Sequence, residues 1–137
     1  MLAYISHFYF LKIMAKNILI IEDDEFFRSL IGQKLLFEGF SFSIAKNGQE
    51  GVEKTKEVKP DLILLDLLLP VMDGFDVLAA IKKDPSIASI PVIILSNLSS
   101  KEEIDKGIAL GATDYMIKSQ SNPDSIISAV KDIFKKK

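Results

Sequence analysis

Short apolar runs alternate with longer amphipathic segments along the chain from about residue 16 onward. Nearly continuous apolar runs are typical of buried strands, whereas apolar residues three and four positions apart are typical of helices that bury one face. The pattern predicts five strands, over residues 17–22, 40–45, 61–66, 91–96 and 113–118. It also predicts five helices, over residues 24–38, 49–59, 75–83, 99–110 and 122–134.

Residues with strong conformational preferences mark several predicted helix ends. Gly39, Pro60 and Gly111 are expected to end the first, second and fourth helices, because glycine favours the turn after a helix and proline cannot continue one. Ser99 and Glu102 have the spacing of a capping box, so we expect the fourth helix to open there.

Strands that alternate with helices predict an α/β fold: a doubly wound, five-stranded parallel sheet with helices on both faces. Right-handed crossovers leave two common strand orders, and five strands favour the flavodoxin-like order 2-1-3-4-5. The length of 137 residues corresponds to about one domain, which we expect over residues 16–137.

Residues 1–15, MLAYISHFYFLKIMA, are more apolar and aromatic than the rest of the chain. We interpret them as an N-terminal extension of unknown role, ahead of a domain that starts near Met14. A segment that binds a partner or a membrane surface is one alternative. A signal peptide is the other, although Lys12 follows the apolar run rather than preceding it.

Composition excludes several classes of site. The absence of cysteine excludes disulfides, thiolate metal sites and cysteine nucleophiles, and it fits a reducing, cytoplasmic compartment. A single histidine, His7, excludes a two-histidine metal site. The net charge of -2 argues against a general nucleic-acid binder. No apolar run reaches the roughly 18 residues that a membrane-spanning helix needs, so no span is expected.

Polar side chains stand at the carboxyl ends of four predicted strands. Glu22 and Asp23 end the first, and Asp66, Ser96 and Lys118 end the third, fourth and fifth. In the order 2-1-3-4-5 these ends are neighbours at the switch point of the sheet, where ligands bind. Carboxylates that are packed together repel one another, and a divalent cation removes that conflict. Mg²⁺ prefers oxygen ligands and often binds carboxylates together with phosphate.

The side chains at the same strand ends predict a binding site for a phosphoryl group. Lys118 would supply a compact positive charge and Ser96 a hydroxyl donor. The sequence has no glycine-rich phosphate loop, which disfavours a nucleotide ligand. A carboxylate nucleophile can hold phosphate covalently, and Asp66 is the best candidate because it stands between the acidic pair and the other two strand ends. Considered alone, Asp23 or Asp24 could instead cap the first helix.

Four stretches, ILIIEDDE, PDLILLDLLLPVMDG, PVIILS and GATDYMIK, occur in this order. Together they strongly resemble the receiver domain of bacterial two-component response regulators, over about residues 16–136. The resemblance implies a stand-alone, chemotaxis-type receiver that takes a phosphoryl group from a sensor histidine kinase or a phosphotransfer protein. It implies catalysis only of its own phosphorylation and dephosphorylation, an unknown downstream protein target, and a monomer or weak homodimer.

The resemblance also implies roles for single residues. Asp66 resembles the phosphoacceptor, and Glu22 and Asp23 resemble the acidic pair that organises Mg²⁺ together with Asp66. The backbone carbonyl of Leu68 resembles a further metal ligand of the family.

A second group of residues resembles the family's switch. Ser96 resembles the hydroxyl residue that moves to meet the phosphoryl group, and Lys118 the lysine that contacts it. Tyr115 resembles the aromatic residue that turns inward when the hydroxyl residue moves. The implied output is a changed surface on the fourth helix, fifth strand and fifth helix.

The sequence departs from the family pattern at several positions. Ser119 replaces the proline that usually follows Lys118, so we expect a trans peptide bond there. Asn97 stands where a small residue is usual, and we expect it to crowd the phosphoryl group or alter access to it. Leu68 and Leu98 are apolar where fast-hydrolysing relatives carry polar groups, which predicts slow loss of phosphate.

Two alternatives from other classes remain open. One is a pseudo-receiver, an interaction module that is never phosphorylated, which Ser119 and Asn97 favour. The other is a Mg²⁺-dependent phosphohydrolase of the haloacid dehalogenase class with Asp66 as nucleophile. Such enzymes usually carry a second aspartate two residues after the nucleophile, where this chain has Leu68.

Overall fold

The structure is a computed structural model that describes residues 16–135. The N-terminal extension predicted for residues 1–15 lies outside the described residues. The strands are β1 (Asn17–Ile21), β2 (Ser41–Ala45), β3 (Leu62–Leu65), β4 (Val92–Ser96) and β5 (Asp114–Ile117). The helices are α1 (Glu25–Phe37), α2 (Gly48–Val58), α3 (Gly74–Lys83), α4 (Lys101–Ala109) and α5 (Pro123–Lys135). A short 3₁₀ turn, Lys118–Gln120, follows β5.

The five strands form one parallel sheet in the order β2-β1-β3-β4-β5, as predicted. Alternate residues of each central strand enter separate cores on the two faces. Ile18 and Ile20 of β1 pack with side chains of α1 and α5, whereas Leu19 and Ile21 pack with side chains of α3. Both faces of the central strands are therefore buried, which is why these strands are continuously apolar rather than alternating.

The start of α4 differs from the prediction by one residue. Ser100, not Ser99, is the N-cap: its Oγ accepts a hydrogen bond from the Glu103 N–H at 3.1 Å, and Glu103 Oε1 accepts one from the Ser100 N–H at 3.2 Å. The pair predicted from the sequence, Ser99 and Glu102, was wrong. Both pairs have the capping-box spacing, so the sequence offers two equivalent starts, and only the structure distinguishes them.

The helix ends at the two predicted glycines are confirmed. Gly39 follows α1 with φ 98° and Gly111 follows α4 with φ 111°. These values lie in the left-handed region, which glycine enters without the penalty that a Cβ imposes.

Val71, in the loop between β3 and α3, carries backbone strain. Its φ is 71°, a left-handed conformation that is a genuine outlier for a β-branched residue, and its side chain is 77% exposed. We expect Val71→Gly to raise the free energy of unfolding by about 1 kcal/mol, because relief of such strain outweighs the extra entropy of glycine in the unfolded chain. Urea denaturation measures this. Val58→Gly is the control, since Val58 is an exposed helical valine and its replacement should destabilise instead.

Candidate functional site

Three carboxylates meet at the carboxyl edge of the sheet. Ile21 pairs with Leu65 in the ladder, so the residues that follow them, Glu22 and Asp66, leave neighbouring strands side by side. Glu22, Asp23 and Asp66 each offer a carboxylate oxygen, and these oxygens lie within 4.8 Å of one another. The convergence of carboxylates that the sequence predicts is therefore confirmed. The donor set consists only of hard oxygen ligands, which fit Mg²⁺.

Lys118 supplies the positive charge of the site. Its Nζ donates hydrogen bonds to Glu22 Oε1 and, at 3.2 Å, to Asp66 Oδ2. The ammonium also lies 4.5 Å from the centre of the Phe27 ring, a cation–π contact. Burial lowers the pKa of Lys118, but the hydrogen bond that it donates to Glu22 and the charge of Asp66 outweigh burial and raise that pKa above its ordinary value. The lysine is therefore a fixed cation between two carboxylates.

Glu22 is the most deeply buried carboxylate of the cluster, with 2% of its surface exposed. Burial raises the pKa of its carboxyl to about 7, against the opposing hydrogen bond from Lys118. Its second oxygen accepts a hydrogen bond from the Asp24 N–H at 3.2 Å, and its carbonyl accepts one from Arg28 Nη1 at 2.9 Å. A bound cation would favour the ionised form and would displace the proton.

Asp66 is held by the loop that follows it. Its Oδ1 accepts a hydrogen bond from the Leu68 N–H at 3.3 Å, and the residue is buried. Gly74, at the start of α3, packs against the backbone of Asp66 and Leu67. A Cβ at Gly74 would lie 2.4 Å from the Asp66 carbonyl oxygen and 2.5 Å from the Leu67 Cα. The close approach of α3 to this backbone explains the glycine and fixes the position of the aspartate.

Ser96 and Tyr115 meet at the loop between β4 and α4. The Ser96 side chain is fully buried and its Oγ accepts a hydrogen bond from the Leu98 N–H at 3.3 Å. The Tyr115 hydroxyl donates to the Leu98 carbonyl. Burial, with the nearby charge of Glu103, raises the pKa of the Tyr115 hydroxyl. Both predicted switch residues thus contact the same loop residue.

Residues 18–131 match the family model of the response regulator receiver domain. The chain belongs to this family. Receiver domains are signalling modules of two-component systems, which bind Mg²⁺ at an acidic pocket and are typically phosphorylated by histidine kinases.

Curated relatives of this receiver domain differ in length. The chemotaxis protein CheY of Halobacterium salinarum is 35% identical over 121 residues, covering 88% of this chain and 98% of that protein. Other relatives are longer, and the chain spans between 15% and 57% of their length.

Solved receiver structures have the same fold. The receiver domain of the Francisella response regulator 1452 matches with a TM-score of 0.82 at 29% identity, covering 89% of this chain and 98% of that one. The Mn(2+)-bound form of response regulator Rcp1 matches with a TM-score of 0.74 at 30% identity, covering 87% and 91%. Within residues 16–135 of this receiver domain, no helix has the length and apolarity needed to cross a membrane.

Two of the positions at which this receiver domain departs from its family, Asn97 and Ser119, contact each other. The Lys118–Ser119 bond is trans, as expected. Asn97 Oδ1 accepts a hydrogen bond from the Ser119 N–H at 2.9 Å. Sequence reasoning treated the two departures separately, and only the fold places them together.

Sequence reasoning also missed Phe27 and Arg28 as parts of the site. The sequence pattern indicates only an apolar helix position for Phe27 and no role for Arg28. They follow Asp23 by four and five residues and lie in the first turn of α1, close to the strand end. That spacing is the only sequence signal for them, and it is weak without the tertiary structure.

Proposed function

We propose that residues 16–137 form a single-domain response regulator, a phosphorylation switch whose phosphoacceptor is Asp66. The phosphoryl donor is the phosphohistidine of a sensor kinase or phosphotransfer protein, and no external substrate is turned over. One observation carries the proposal: a buried aspartate shares one cluster with Glu22, Asp23 and the ammonium of Lys118.

The transfer is a substitution at phosphorus. An Asp66 carboxylate oxygen forms the new P–O bond while the P–N bond of phosphohistidine breaks. The electron pair of the P–N bond stays on the imidazole nitrogen, which takes a proton from water. Lys118, already bonded to Asp66, donates to a phosphoryl oxygen, and Ser96 supplies a hydroxyl donor. The side chains position and stabilise charge rather than transfer protons.

Mg²⁺ would be held by Glu22, Asp23, Asp66 and the Leu68 carbonyl. When bound, it offsets the negative charge of the carboxylates and of the phosphoryl oxygens. The cluster of carboxylate oxygens in this chain and the Mn(2+)-bound form of the relative Rcp1 support a divalent ion here.

The conformational effect of phosphorylation would pass through the loop between β4 and α4. The Ser96 side chain and the Tyr115 hydroxyl both contact Leu98, so a movement of Ser96 toward the phosphoryl group displaces the acceptor of Tyr115. A two-state change at α4 and β5 is the resulting signal, which a downstream protein reads.

Intact mass spectrometry tests this function. The protein is incubated with acetyl phosphate in the presence and absence of Mg²⁺, as wild type and as Asp66→Asn. We expect one phosphoryl adduct that requires Mg²⁺ and is absent from the variant. Asp61→Asn is the control, because Asp61 lies at the opposite end of β3 and should leave the adduct unchanged. A folded wild type that forms no adduct would replace this function with the pseudo-receiver.

Loss of the phosphoryl group is expected to be slow. The Leu68 side chain is 57% exposed beside Asp66, and neither Leu68 nor Leu98 carries a side-chain group that could orient an attacking water. We expect Leu68→Asn to shorten the half-life of the adduct several-fold, as followed by mass spectrometry after removal of the donor. Leu68→Met is the control and should keep the half-life long. A half-life of seconds in the wild type, unchanged by asparagine, would contradict the prediction.

A further inference from the structure

Asn97 connects two loops that carry groups of the site. Ser96 and Ile117 are the last paired residues of β4 and β5, and the backbone ladder ends there. Asn97 is one residue beyond Ser96, and its Oδ1 accepts a hydrogen bond at 2.9 Å from the N–H of Ser119, two residues beyond Ile117. We call this contact the Asn97–Ser119 bond. It extends the connection between the two strands past the end of the sheet.

The acceptor of the Ser119 N–H lies outside its own turn. Ser119 lies in the first turn of the 3₁₀ segment Lys118–Gln120, where N–H groups have no partner within the helix. Ile117, at the N-cap position, offers no side-chain acceptor. Asn97 therefore caps this turn from the neighbouring loop. A proline at position 119 would have no N–H to donate, so the contact requires a residue other than proline there and does not depend on the serine side chain.

The bond restrains the backbone of Lys118 from the C-terminal side. Ile117 holds it on the other side through the β4–β5 ladder. Lys118 thus extends from a backbone that is fixed at both neighbours, and its Nζ lies over Phe27 and against Glu22 and Asp66. The same bond holds the loop that follows Ser96.

We propose that Asn97 is a positioning residue for Lys118, acting through the Ser119 N–H. The inference rests on the proposed function, since it assigns a role in phosphorylation of Asp66. It opposes the simpler expectation that Asn97 crowds the phosphoryl group. Crowding and positioning predict rate changes of opposite sign when the side chain is truncated.

The rate of phosphorylation by acetyl phosphate in the presence of Mg²⁺ distinguishes crowding of the phosphoryl group by Asn97 from positioning of Lys118. We expect Asn97→Ala to slow the reaction about tenfold, because displacement of a positioned group costs rate steeply. Asn97→Leu keeps the size of the side chain without the acceptor and should be equally slow. Ser119→Ala keeps the backbone N–H and should react like the wild type. A faster Asn97→Ala, or an Asn97→Leu protein with the wild-type rate, would overturn the proposal.

Two NMR measurements test whether Asn97 positions Lys118, and neither requires phosphorylation. The Ser119 amide should exchange slowly with solvent in the wild type and in Asn97→Asp, which keeps the acceptor oxygen, and quickly in Asn97→Ala. The Lys118 Cε protons should show a ring-current shift from Phe27 that Asn97→Ala reduces. An unprotected Ser119 amide, or an unchanged Lys118 shift, would refute the positioning role. If the wild type takes no phosphate but both signals behave as expected, the proposed function fails and the positioning of Lys118 stands.

Discussion

Gly48→Ala is expected to lower the free energy of unfolding by about 3 kcal/mol or more. Gly48 is buried at the start of α2, and its N–H donates to the Pro70 carbonyl at 3.3 Å. A Cβ there would lie 1.8 Å from the Met72 carbonyl oxygen and 2.7 Å from its carbonyl carbon. These are backbone atoms, which cannot rotate away as a side chain can. The loop after Asp66 and the start of α2 would have to separate.

Urea denaturation of Gly48→Ala and of a neighbouring control measures this effect. Gln49→Ala is the control, because Gln49 is exposed in the same helix and should change stability by less than about 0.5 kcal/mol. A Gly48→Ala protein that fails to fold agrees with the prediction. A protein within about 1 kcal/mol of the wild type would show that the loop containing Val71 yields more easily than its contacts indicate.

The metal-free protein is expected to lose stability as the pH rises from about 4.5 to above 7. The pKa of the Glu22 carboxyl is about 7 in the folded protein and 4.5 ordinarily, so the folded state binds this proton more tightly than the unfolded chain. The stabilisation that this proton contributes is fully present below pH 4.5 and is lost as the pH rises through 7. The difference in pKa corresponds to about 3 kcal/mol for this buried group.

Comparison with Glu22→Gln isolates the contribution of this carboxyl. The amide imitates the protonated acid and does not titrate, so its free energy of unfolding should match the wild type near pH 4.5 and exceed it by up to about 3 kcal/mol at pH 8. Glu53→Gln, an exposed glutamate of α2, should follow the wild type throughout. Parallel curves for wild type and Glu22→Gln in chelator would contradict the prediction. Added Mg²⁺ should restore wild-type stability at pH 8, because a ligand of the folded state stabilises it.

The cluster of carboxylates at this edge of the sheet thus opposes folding. Three carboxylates lie together, one of them almost completely buried, and only Lys118 among the described residues bonds directly to two of them. Sites of this kind are maintained for their chemistry and not for stability. The strained backbone of Val71, five residues after Asp66, belongs to the same region.

The helices and strands could be predicted because local signals specify them. Runs such as residues 61–66 and glycines such as Gly39 act through neighbours in sequence, so element type and order were correct. Helix starts were less certain. Ser99 and Ser100 both precede a glutamate at capping-box spacing, and no local rule separates them.

The sequence by itself favoured the correct strand order, indicated the family by resemblance, and determined the set of acidic and basic residues at the strand ends. Parallel topology places those ends at one edge, so Glu22, Asp23 and Asp66 were predictable as a group. The tertiary structure alone decided which atoms meet within it. The ring of Phe27 under Lys118, the raised pKa of Glu22 and the Asn97–Ser119 bond depend on burial and on distances between residues far apart in the chain. These contacts and this pKa shift arise only once the packed fold excludes water and brings those side chains together.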